Sequence, residues 1–128
     1  MPLPPLPSLD ALPRDVAACV LALNQFGAGR PDPILASMYR HLAYWPDLLT
    51  ALAAALRPLE AANQLRPAIT EALAQANRAG TVFARHLAPS SALPAEAIPA
   101  TAAALDRFAD DALARMVVIW AAIRQACD

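Results

Sequence analysis

Residues 37–49 read SMYRHLAYWPDLL, and they carry more aromatic and polar chemistry than any other stretch of this alanine-rich chain. Pro46 disfavours helical geometry at the residue before it, so Trp45 marks a break in the backbone. Before the break, Ile34, Leu35, Met38, Leu42 and Trp45 recur at helical spacing; after it, Leu48, Leu49, Leu52 and Leu56 do the same. Asp47, in the first turn of the second pattern, suits the positive end of a helix. Two helices meeting at a proline corner are the unit from which the fold is read.

The same period extends outward. Asp32 before Pro33 predicts an N-cap followed by a first-turn proline for the helix that leads into the corner. Upstream, Pro13 opens a helix on which Val16, Val20 and Leu23 repeat until Gly27 and Gly29 stop it. Downstream, Pro58 predicts the end of the post-corner helix. A longer helix then carries Leu59, Leu65, Ile69, Leu73, Ala76, Val82, Phe83 and Leu87, kinked or restarted at Pro67. The run 88–100, APSSALPAEAIPA, reads as a surface loop. A last helix from about Pro99 to Ala126 places Leu105, Phe108, Ala112, Met116, Ile119 or Trp120, and Ile123 on one stripe. Residues 1–12, with Pro2, Pro4, Pro5 and Pro7, read as a proline-rich arm on an extended, polyproline-like path. With no strand signal, the expectation is an all-α fold: one compact helical domain over 13–128, built from five or six helices.

Composition narrows the function classes. The hydrophobic fraction is 58%, but much of it is alanine, a strong helix former that buries little per residue. The longest dense apolar run, Met116–Ile123, is bounded by Arg115 and Arg124 and is shorter than the ~18–20 residues of a spanning helix, so no membrane is expected. The proline-broken start has no positive leader region, which makes a cytoplasmic location the default. The net charge of -1 gives no basic stripe for nucleic acid. Cys19 and Cys127 form no metal-ligand spacing and are expected as buried or free thiols. His41 and His86 sit in no ligand pattern either, so neither a metal nor a cofactor is expected. Asp110 and Asp111 point about 100° apart on a helix and read as a solvated face. Arg78 and Arg85, a heptad apart, could meet Arg40 at a small carboxylate, although surface arginines are the simpler reading.

The segment 29–58, GRPDPILASMYRHLAYWPDLLTALAAALRP, resembles the central segment of the carboxy-terminal half of group I 2-haloacid dehalogenases. The most specific element is carried by Ser37, Tyr39, Arg40, Leu42, Ala43, Trp45, Pro46 and Asp47; the likeness extends more loosely over most of the chain. It implies an alkylhydroperoxidase-D-like helical array in which two related halves enclose a pocket. The present chain supplies one half, so a homodimer is the implied partner arrangement. It also implies a ligand among small organic acids, with Ser37, Met38, Tyr39, Arg40 and His41 as pocket residues. The family's general base, an aspartate that activates water, falls at Met38, which cannot take a proton; Asp32 and Asp47 flank the same helix as substitutes. The resemblance therefore implies a dehalogenase-like pocket suited to a small organic acid or apolar ligand, with hydrolysis of a carbon–halogen bond depending on a displaced base. Read from the residues alone, the alternative is a non-catalytic helical module that dimerises or docks a partner.

Overall fold

The computed structural model describes residues 2–87 and 93–127. Among them every regular element is helical: α1 (Arg14–Gln25), α2 (Ser37–Leu42), α3 (Pro46–Ala61), α4 (Leu65–Ala84), α5 (Ile98–Phe108) and α6 (Ala114–Ala126). A π turn, Ala109–Leu113, joins α5 to α6 without a break, and short 3-10 turns stand at Leu9–Ala11 and Ala95–Ala97. The all-α expectation holds, with six helices, or five if the continuous last pair is taken as one. The chain divides into two compact units, Met1–Pro67 and Ala68–Asp128, with the boundary in the first turn of α4.

In the first unit α1, α2 and α3 pack on one another. Their inward stripes supply the core: Val16, Val20 and Leu23 of α1, Tyr39 of α2, and Leu49, Leu52, Ala53 and Leu56 of α3 are all buried. Pro13 stands at the N-cap of α1, one residue before the first-turn place expected of it; the break falls at Trp45 as expected, with φ -126 and ψ 78, and α3 opens on Pro46 with Asp47 in its first turn. The helix before the corner is shorter than its apolar pattern predicts. Residues 32–36 are not helical, and α2 starts only at Ser37. Asp32 is not an N-cap; its carboxylate accepts from Arg30 Nε at 2.9 Å. What holds this non-helical approach is Asn24, buried in the last turn of α1, whose Oδ1 accepts from the Ala36 amide at 3.0 Å.

Pro58 does not end α3. The helix runs through it to Ala61, losing the one intrahelical bond that the missing N–H of Pro58 would make. The stop comes five residues later. Asn63 takes φ 53, its amide donates to Glu60 O, and the Gln64 amide reaches back to Leu59 O. This pair of bonds is the Schellman closure, with asparagine in the left-handed place more often held by glycine. Gly27 occupies the equivalent place after α1 at φ 69, and its amide donates across the unit to Glu60 Oε2 at 2.9 Å. Pro67 falls in the first turn of α4, where a missing N–H costs nothing, so the helix is not broken there.

In the second unit, Leu105, Phe108, Ala112, Met116 and Ile119 do not share one face as the uninterrupted pattern predicts. Ala112 and Ile119 are buried, whereas Leu105 and Phe108 are 63% and 47% exposed. The π turn supplies the reason: its i→i+5 bonding inserts a residue and rotates α6 relative to α5. The expected loop over 88–100 is partly outside the described residues; its second half is a 3-10 turn and the start of α5.

Candidate functional site

The α2–α3 corner places Ser37, Met38, Tyr39, Arg40 and His41 in different surroundings. Tyr39 points inward and is wholly buried in the core of the first unit. Ser37 is exposed, and Met38, Arg40 and His41 are half-buried. Asp47 stands exposed in the first turn of α3, while Asp32 is paired with Arg30. Neither of the two cavities described below is lined by any of these seven residues.

Instead, the corner holds the proline-rich arm. Arg40 Nε donates to Pro7 O at 2.8 Å, and the Tyr44 hydroxyl donates to Pro5 O at 2.6 Å. Arg40 lies in the last turn of α2 and Tyr44 in the turn that follows, where its amide bonds to His41 O at 3.2 Å, and both side chains reach the arm. Trp45 stands edge-on to Tyr44, with ring centroids 6.3 Å apart, and remains 55% exposed. The expected extended path of the arm is seen at its end, where Ser8 has φ -74 and ψ 152, polyproline II values.

A cavity of about 570 Å³ lies between α1 and α3, lined by Cys19, Thr50, Ala53, Ala54, Arg57, Pro58 and Ala61. The Cys19 thiol, half-buried here, makes a long contact to Leu49 O at 3.8 Å. Burial raises its pKa, and the positive charge of Arg57 partly opposes that rise. This cavity brings a cation, Arg57, and a hydroxyl, Thr50, to one place, although their seven-residue separation carries no motif.

The second unit holds a smaller cavity of about 270 Å³, walled by Ala72, Leu73, Ala76, Asn77, Ala109, Leu113, Ala114 and Val117. Only Asn77 brings a polar side chain to it, so nothing in the wall matches a carboxylate. Close by in sequence, Asp111 and Arg115 are both buried and bonded to each other. Arg115 Nη2 lies 3.4 Å from Asp111 Oδ1, and Arg115 Nε donates to the Asp111 carbonyl oxygen. Asp111 is thus no part of a solvated face, although Asp110 is exposed. The i,i+4 spacing of an acid and an arginine is the sequence signal for the pair. Arg78 is likewise paired, with Glu71 at 3.2 Å, and hydrogen bonds from Gln75 and then from that guanidinium hold the Glu71 carboxyl below its ordinary pKa.

The thiols of Cys19 and Cys127 are free. Among the described residues no cluster of three or more His, Cys, Asp or Glu side chains is placed to hold a metal ion, and no helix is long and apolar enough to cross a membrane. No family model, curated protein or solved structure matches the chain.

Proposed function

We propose that this protein is a non-catalytic helical interaction module that self-associates through its second unit. The observation that carries this reading is a continuous apolar stripe along α5, the π turn and α6. Leu105, Phe108, Leu113, Val117 and Trp120 are each between 43% and 63% exposed. Their spacings of three, five, four and three residues follow one face through the π turn, because the i→i+5 step carries the stripe across the inserted residue. Together they leave roughly 500 Å² of apolar surface open, at the upper end of what a monomer tolerates. Val82 and Phe83 of α4, 54% and 68% exposed, enlarge the apolar surface of the same unit. A two-fold contact in which one stripe covers its copy would bury up to about 500 Å² of apolar surface on each partner, more than half of the roughly 800 Å² of a standard interface.

Sedimentation velocity tests this across roughly 1–100 µM, the range in which such an interface gives a measurable dissociation constant. A concentration-dependent dimer is expected, and Val117→Glu with Trp120→Glu should return it to monomer with helical content unchanged. A monomer at every concentration would overturn the reading.

A second reading retains the small organic acid that the likeness to group I 2-haloacid dehalogenases implies. What supports it is the cavity between α1 and α3, where Arg57 offers a guanidinium for a carboxylate. With Met38 at the expected base position, binding without halide release is the outcome this reading anticipates. Thermal stabilisation by 2-chloropropionate, lost in Arg57→Gln, would favour it over the module; no stabilisation would remove it.

A further inference from the structure

The contact between the arm and the α2–α3 corner has the chemistry of polyproline recognition. Residues 4–7 read Pro-Pro-Leu-Pro, a P-x-x-P sequence. Pro4 and Pro7 are half-buried while Leu3, Pro5 and Leu6 are exposed. A three-residue interval is one turn of a polyproline II helix, so the two inward prolines lie on a single edge of the arm. Proline fixes φ near the polyproline value and has no N–H to donate, so the arm meets its receptor already ordered and offers only carbonyl acceptors. The corner supplies the complementary groups: a tyrosine hydroxyl and an arginine guanidinium, both donors, with the Trp45 ring alongside Tyr44.

Donors and acceptors correspond one to one. Arg40 lies in α2 and Tyr44 in the turn just after it, and they take Pro7 O at 2.8 Å and Pro5 O at 2.6 Å, so the arm runs antiparallel to the exit from α2. Neither bond recognises a side chain of the arm, so any segment with the same backbone and the same inward prolines presents the same partners.

We propose that the α2–α3 corner is a receptor site for P-x-x-P segments in the polyproline II conformation, which residues 4–7 fill in cis and a proline-rich segment of another protein fills in trans. The arm is then a built-in competitor that sets how strongly an outside ligand must bind.

The full-length chain carrying Pro4→Gly and Pro7→Gly loosens the arm without removing it. Titration with the capped peptide PLPPLPSL, followed by amide chemical shifts, should show saturable binding with the largest changes at Arg40, Tyr44 and Trp45. The affinity should exceed that of the unmodified chain by about tenfold, because the competent state is no longer occupied by the arm. Adding Tyr44→Phe or Arg40→Gln should each weaken binding roughly fivefold to tenfold, the worth of one hydrogen bond. Tyr44 is 43% exposed, so Tyr44→Phe keeps the fold and the readout even if Arg40→Gln does not. A peptide with its inward prolines replaced by glycine should not bind. Absence of saturation in the loosened chain, or binding indifferent to Tyr44→Phe, would overturn the proposal. So would a dimer abolished by Tyr44→Phe, which would place the arm of a second copy on the corner.

Discussion

Single residues that matter most here are polar groups in apolar surroundings. Arg115 and Asp111 are 0% and 5% exposed, and each answers the charge of the other. Arg115→Met leaves a carboxylate in a buried place and should lower unfolding stability by about 3–5 kcal/mol in urea titration. Asp111→Leu combined with Arg115→Met should recover most of the loss, since replacing both charges removes the burial penalty along with the attraction. Cys19 gives a pH-dependent case. Its folded pKa is raised, so its contribution to stability is complete below the pKa of the unfolded thiol and is lost as pH rises through the folded value. A thiol-specific reagent between neutral and mildly alkaline pH should accordingly label exposed Cys127 well before Cys19. The i,i+4 spacing of Asp111 and Arg115 was legible in the sequence, but the depth of their burial was not, because it is set by what packs on them from elsewhere.

Helix type and the proline corner were legible in the sequence because apolar period and proline geometry act within a few residues. The ends were legible where local chemistry decides them, as at Pro13, Pro46 and Gly27. They were misread where a side chain or an inserted residue intervenes: Asn24 holds residues 32–36 out of a helix, and the π turn rotates α6 away from the stripe that an unbroken period predicts. For the candidate site, Tyr39 and Arg40 stood out for their chemistry, but their roles diverge with the side of α2 they occupy, which sequence spacing alone left open. Within α4, Gly80 sits mid-helix with nothing within 4 Å of an added Cβ. Gly80→Ala should therefore raise unfolding stability by about 0.5–1 kcal/mol, through helix propensity and a less flexible unfolded chain, as read from the denaturation midpoint.

For the whole molecule, charge and apolar surface make opposite statements about association. The net charge of -1 supplies no long-range attraction or repulsion of consequence. A self-association built on Phe108, Val117 and Trp120 should therefore hold or tighten between roughly 0.1 and 1 M sodium chloride, where ion-paired interfaces weaken; sedimentation at the two salt concentrations checks this. The division into two compact units had no marker in the sequence, since the boundary falls inside a helix rather than in a polar linker. The buried ion pair has a kinetic consequence at this scale. Asp111 and Arg115 lie one turn apart on the same continuous helix, so they can meet as soon as that turn forms, on the sub-microsecond timescale of helix growth. The carboxylate thus finds its counter-charge within its own turn, and the second unit need not wait on a distant partner to bury it.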